Sequence, residues 1–513
     1  MFDALFTTTT EYKKLSHALS GKGACALFGL PASGRAQVYA ALCRQLDKPL
    51  CIVTPGEAEA TRFAADLNTL GIPAAVFPAR DYVLRPIEGT AREYEYRRLA
   101  VLGELVGGRL RAVAVPAEAL TQFTTPKEDF CANTRTLHAG DTLLRDDLLA
   151  ALFGAGYTRR AQVDGPGQFS VRGDIVDIFA PDQKMPVRME FWGDEIDTLH
   201  TFDLTTQRRE DAIDKFYLSP AREVLFGKPA DAAEQLRAFL AKQRGKKKTA
   251  MADCMAADLD LLDGGAVPVN MDKYLAVRYP HPSTVLDYFD DPILVAEEPA
   301  SIREADRATA YRRGEELKSL ILDGVLCAGL DNLYADPSYL WSKTGHYRTI
   351  CAENFARSMP DQPLKDIINA PAHTLPAWNG EVAGLLEDLK PLCDAGYTVT
   401  LLAGTDRAAA GLARDLRDKG ILVTTDAAAA PAAGLVQVLA GHLSAGCEFP
   451  FAKYALLTGR AFGETSSQKK KRKKAKDALN SLTEITPGDL VVHQNHGIGR
   501  YAGIQRMAVQ GVT

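Results

Sequence analysis

The stretch "GLPASGRA" (29–36) has the spacing of a phosphate-binding loop of the form G-x-x-x-x-G-K-[ST]. In a working loop, backbone amides cradle phosphate, the lysine reaches the outer phosphates and the hydroxyl holds magnesium. Gly29 and Gly34 keep the frame, but Arg35 stands in the lysine position and Ala36 in the hydroxyl position. A planar guanidinium does not reproduce a compact ammonium. Alanine ligates no metal, so phosphoryl transfer loses the ion that neutralises its transition state. The acidic run "DEID" (194–197) follows an alternating segment rather than a buried parallel strand, so it supplies no catalytic carboxylate for the loop. We read 29–36 as a structural relic and expect neither a cofactor nor catalysis from this chain.

Metal chemistry is equally poorly supplied. His493 and His496 stand three apart in "VVHQNHGIGRYAGI", on a strand and turn where that spacing does not converge, and Gly497 and Gly499 explain the stretch as a turn. The nine cysteines show no C-x-x-C pair, are odd in number and mostly lie in apolar runs, as buried thiols in a reducing cytosol would. With 60 basic and 65 acidic side chains the net charge is −5, so any nucleic-acid surface must be local. The first residues lack a basic start followed by an apolar core, and no run of 18 apolar residues occurs, so the expected location is cytoplasmic and free of membrane.

At 513 residues the chain needs several cores. From Ala24 to Val115, short apolar runs ("ACALFGL", "LCIVTP", "AAVFP", "RAVAV") alternate with helical stretches, which predicts a doubly wound parallel sheet. Between 140 and 218 the period becomes two: Val187, Met189 and Phe191 on one face of a strand, Arg188, Glu190 and Trp192 on the other, with Gly173-Asp174 and Gly193-Asp194 as turns. A mixed helical stretch follows, in which "RGKKK" (244–248) reads as a solvated loop, and a break falls near Pro337. Residues 398–421 echo 50–72, with Ala60, Ala64, Leu67, Gly71 and Ile72 recurring as Ala409, Ala413, Leu416, Gly420 and Ile421, so a second α/β unit is expected. The run Lys469 to Lys476 has seven basic side chains in eight positions and reads as an exposed linker, with DNA phosphates as its one candidate ligand. Beyond it come short strands joined by glycine turns.

"GQFSVRGDIVDIFAP" (167–181) and "VRMEFWGDEIDTLHTFD" (187–203) closely resemble the UvrA-binding domain of the excision-repair protein UvrB, a segment shared with the bacterial transcription-repair coupling factors. "LTEITPGDLVVHQNHGIGRYAGI" (482–504) is similar to the start of the RNA polymerase-interacting, CarD-like domain of the coupling factors, which UvrB lacks. The resemblance implies a multidomain α/β chain. In it, 1–135 form a UvrB-like α/β domain with the degenerate loop, 136–218 a β-rich UvrA-binding domain and 219–338 a second part of the UvrB-like domain. Next come an α/β domain at 339–463, the basic linker at 464–483 and a truncated small β-barrel at 484–513. It implies UvrA as a partner at Arg172, Arg188 and Trp192, where the family commonly has phenylalanine in place of this tryptophan. It also implies the RNA polymerase β subunit at Met507, and an ATP-driven motor in domains this chain does not contain. The rival implication is a UvrB-like ATP-dependent DNA-binding or helicase enzyme, which needs the nucleotide loop to work.

Overall fold

The computed structural model describes residues 3–87, 92–357, 359, 362–378, 381–430, 432–459, 490–493 and 497–500. The chain first lays down four strands: β1 (Gly23–Phe28), β2 (Leu50–Thr54), β3 (Ala74–Val76) and β4 (Ala112–Pro116). An insert of eight follows. These are β5 (Arg135–His138), β6 (Thr158–Arg159), β7 (Gln168–Arg172), β8 (Ile175–Phe179), β9 (Val187–Trp192), β10 (Glu195–Phe202), β11 (Arg209–Ala212) and β12 (Lys215–Leu218). After a helical stretch the chain returns with β13 (Ile293–Glu297), β14 (Arg348–Glu353) and β15 (Leu364–Asn369), completing one parallel seven-stranded sheet in the order β15-β1-β14-β13-β2-β4-β3.

This sheet is doubly wound, as its strand–helix alternation predicts. Its strands are apolar on both faces: Cys25, Leu27, Ile52, Val295 and Ile350 pack toward the helices Ala32–Leu46 and Glu57–Thr69. Cys51, Val53, Val113, Leu294 and Cys351 pack the other way, with Leu99 and Leu102 of Glu93–Val106 and Ile302 of Pro299–Leu322. The assembly differs from the expected boundaries. β13 and β14 wedge between β1 and β2, so the N-terminal strands do not close a sheet by themselves. The chain also crosses the expected break near Pro337 without leaving this sheet, since β14 and β15 still flank β1. Local periodicity finds strands but carries no information on which strands become neighbours.

The insert is a six-stranded sheet, β11-β10-β9-β8-β7-β6, antiparallel except at β6 and β7. Its core face (Phe169, Val176, Ile178, Val187, Met189, Phe191, Leu199) packs with Leu148 and Leu152 of the helix Arg145–Gly154. The ingoing β5 and outgoing β12 pair with each other as a two-stranded clasp, Phe216 opposite Leu137. Past β15 a mixed sheet contains β16 (His373–Leu375), β17 (Thr398–Leu402), β18 (Val423–Thr424), β19 (Val436–Leu439), β20 (Gly446–Phe449) and β21 (Tyr454–Thr458). Its order is β16-β20-β21-β17-β19-β18. The echoed segments occupy like places: β2 and β17 are each a strand inside a sheet leading into a helix, and each helix is followed by a left-handed glycine, Gly71 (φ 77°) and Gly420 (φ 79°). "RGKKK" is exposed but is not a loop, for Gly245–Asp263 is a helix. β22 (Leu490–His493) and β23 (Gly497–Arg500) form a hairpin. His496, Met507, the linker 464–483 and most of 484–513 lie outside the described residues.

A buried ion network joins these parts. Glu223, just past the clasp, accepts from Arg98 Nε at 2.6 Å and pairs with Arg80 Nε at 3.3 Å, while Arg80 forks onto Asp272 at 2.7 and 3.0 Å. Glu95 accepts the Glu223 N–H at 3.0 Å. Although burial disfavours its charge, Arg80, Arg222, Arg92 and the Glu223 amide hold Glu95 down to about 2. Its contribution to stability is therefore complete above the ordinary carboxylate pKa of about 4.3 and is lost as pH falls toward 2; acid unfolding of Glu95→Gln should show a shallower loss over that window than the parent. Glu223→Ala leaves the Arg98 guanidinium without a carboxylate in a dry site, while Arg80 keeps Asp272, and should cost about 3–5 kcal/mol in denaturant unfolding.

Candidate functional site: an exposed sheet end and a filled loop

The hairpins β7–β8 and β9–β10 each turn on two residues. Gly173 (φ 60°) and Gly193 (φ 64°) take the first central position while Asp174 and Asp194 avoid positive φ, the pattern of a II′ turn that glycine supplies without strain. Because β7 and β9 both run antiparallel to β8, their last residues, Arg172 and Trp192, come to the same end of the sheet. The register puts Ser170, Asp177, Arg188 and His200 side by side in one row, with Arg172, Ile175, Glu190 and Thr198 in the next, all opposite the core face.

The structure brings all three predicted residues to this face but gives them different environments. Asp177 is 1% exposed and holds both arginines. Its Oδ1 accepts from Arg188 Nε at 2.7 Å, and its Oδ2 from Arg188 Nη2 at 3.0 Å and Arg172 Nη2 at 2.6 Å. Arg188 is also covered: it is 9% exposed, its guanidinium lies 4.8 Å from the Phe202 ring centroid, and its Nη1 donates to the Gln207 carbonyl at 3.2 Å. It acts as a strut beneath the face. Arg172 is half exposed and its only bond among the described residues is the one to Asp177, so most of its fork faces solvent. Trp192 is 82% exposed. Glu190 pairs with Arg209 of β11. Sequence reasoning missed Asp177; the available signal was an aspartate on the outward side of an otherwise apolar strand, "IVDIF".

The loop 29–36 lies where its frame predicts, between β1 and the helix Ala32–Leu46. Its acidic partner exists after all, a correction to the sequence reading: Glu297 and Glu298 stand at the end of buried β13, opposite the loop. Arg35 pairs with both, Nε to Glu297 at 2.9 Å and Nη2 to Glu298 at 2.9 Å, and donates to the Leu30 carbonyl and Asn354 Oδ1 at 3.2 Å each. Burial opposes the guanidinium charge, yet these carboxylates raise its pKa above the ordinary arginine value, while burial pushes Glu297 up. The phosphate cradle itself is filled by protein. A methyl group on Gly34 would meet Cys447 Sγ at 2.8 Å and the Phe449 ring at 3.4 Å, both from β20, and one on Gly29 would meet Asn369 Oδ1 at 3.0 Å. Ser33, Arg35 and Ala36 are all buried. These residues do not fit a nucleotide. Among the described residues no cluster of His, Cys, Asp or Glu is suited to hold a metal ion, and no helix is long and apolar enough to cross a membrane.

Residues 136–224 match the family described as UvrB interaction domain, and 485–513 match the CarD-like/TRCF RID domain. Over 95% of its length the chain is 26% identical to the transcription-repair-coupling factor of Bacillus subtilis, and it is similarly related to those of Staphylococcus haemolyticus (26% over 94%) and Staphylococcus aureus (24% over 94%). It spans 42% of each of these relatives, and the region matched is their N-terminal part.

Rewriting the loop as Arg35→Lys with Ala36→Ser restores its motif but leaves Cys447 and Phe449 over it. Titration calorimetry with magnesium and ATP should show no binding to this variant, and micromolar binding would refute the filled cradle.

Proposed function

We propose that this chain is a non-catalytic docking module that links RNA polymerase stalled at DNA lesions to nucleotide excision repair. UvrA docks on the Arg172–Trp192 end of the six-stranded sheet, and the CarD-like residues 484–513, with Met507 among them, engage the polymerase β subunit. The observation that carries this reading is the pairing of a largely exposed tryptophan with a half-exposed arginine on one rigid sheet end, pinned from below by Asp177 and Arg188. Tryptophan and arginine are the residue types that most often dominate binding energy, through large buried area and forked hydrogen bonds. The similarity to coupling factors in their N-terminal region supports the same reading, as does the match to a UvrB interaction domain. Movement on DNA driven by ATP belongs to the parts of the whole relatives that this chain does not match. The rival reading, an ATP-dependent enzyme in its own right, meets a loop whose cradle is filled and whose arginine is engaged.

Arg188 is unsuited to testing the face, because reversing its charge would set two carboxylates together in a dry site. Trp192→Ala changes exposed atoms and should leave the unfolding midpoint in place, while Arg172→Ala removes one donor to Asp177 but leaves Arg188 forked onto it, so its midpoint should fall only slightly. Each should weaken binding to purified UvrA by about 2 kcal/mol, roughly thirtyfold, in a calorimetric or interferometric titration. Wild-type affinity in both variants would overturn the assignment.

A further inference from the structure

The helices Pro229–Ala241 and Gly245–Asp263 form a hairpin whose tip concentrates charge. From Gln235 to Ala252 there is no acidic residue, while Arg237, Lys242, Arg244, Lys246, Lys247 and Lys248 are all basic. Arg237 pairs with Asp263. The other five are exposed, and among the described residues none of them forms an ion pair. The tip is strongly cationic on a chain whose net charge is −5.

Three of these lysines occupy the first turn of Gly245–Asp263, a turn with no acidic residue and no side-chain cap, while the last turn carries Asp260 and Asp263 and no basic residue. Both ends thus oppose the helix dipole, which favours acids at the N-terminus and bases at the C-terminus. Helix stability does not explain this layout, and a broken local rule without local compensation marks a function held elsewhere. The tip also has a restricted chemistry. Successive helical residues point about 100° apart, so Lys246, Lys247 and Lys248 fan out rather than converge on one small anion. Residues 242–250 include no aromatic side chain on which an unpaired base would stack and no large apolar one to enter a lipid surface. What remains is an extended polyanion with charges at regular spacing, read without regard to sequence.

We propose that the tip of this helical hairpin, through Lys242, Arg244, Lys246, Lys247 and Lys248, binds the phosphate backbone of duplex DNA. The site is separate from the UvrB interaction domain and does not depend on the docking reading.

The test compares the full chain with its Lys246→Glu, Lys247→Glu, Lys248→Glu variant, using anisotropy of a labelled duplex of mixed sequence across a salt series. Both proteins carry glutamine at Lys469, Lys470, Lys471, Arg472, Lys473, Lys474 and Lys476, so that this second basic run cannot mask a loss at the tip. The variant should bind at least about tenfold more weakly at low salt, with a log–log salt slope shallower by about 2–3, one unit for each phosphate it no longer neutralises. Because acids in the first turn suit the helix dipole, its unfolding midpoint should not fall, which separates weakened DNA binding from damage to the fold. An unchanged affinity and slope would overturn the proposal. So would a preference of the protein with the tip intact for single-stranded oligonucleotide, or for phosphatidylserine vesicles, over duplex.

Discussion

Glu223, fully withdrawn from water between the guanidiniums of Arg80 and Arg98, is the constraint on which the arrangement of the N-terminal parts rests. A lone carboxylate in that position would be prohibitively costly, so the parts that supply the members of this network have little freedom to move apart. Arg80 and Arg98 come from the parallel-sheet unit, Glu223 from the segment leaving the insert, and Asp272, which completes the coordination of Arg80, from the helical stretch. Buried ion pairs of this kind contribute less to gross stability than apolar packing of equal volume does. Their effect is to single out one arrangement, because every alternative leaves a charge unpaired. The Arg172–Trp192 face of the insert therefore inherits a defined orientation relative to the large sheet.

The relic loop shows the same logic applied to a joint. Arg35 places a positive charge where lysine would stand in a working site, and it pairs with both Glu297 and Glu298. With a guanidinium held inside the loop, the helix Ala32–Leu46 buries Ser33 through Cys43 without interruption, and β20 of the last sheet closes over its N-terminus. Asp66 extends the joint by accepting from both the amide and the hydroxyl of Ser444, at 2.8 and 2.6 Å. A surface that elsewhere would open to admit a ligand has become a contact between two sheets.

Much of this was legible in the sequence and some was not, for identifiable reasons. Strand and helix periodicity located the first four strands of the parallel sheet, and the alternation of Val187 to Trp192 sorted that strand's faces correctly, because period and burial are local properties. Gly173 and Gly193 announced their hairpins because only glycine takes those angles without strain. The wedge of β13 and β14 between β1 and β2 was invisible, since it depends on partners roughly 240 or more residues away in the chain. The same long-range dependence hid the pairing of Arg35 with Glu297, and it led Arg188 to read as an exposed anchor when Phe202 and Gln207 cover it. "RGKKK" misled for another reason: charge density reports exposure, and lysine is as content on a helix as in a loop.

The clasp of β5 and β12 brings the two chain crossings of the insert side by side, Leu218 opposite Arg135, within the width of one antiparallel ladder. Everything between them folds around its own apolar core. To the large sheet, the whole insert is geometrically equivalent to a single surface turn. An insert built in this way is a cassette in geometry: another fold of any size could replace it wherever two strand ends lie about 5 Å apart, without either part having to change its own core.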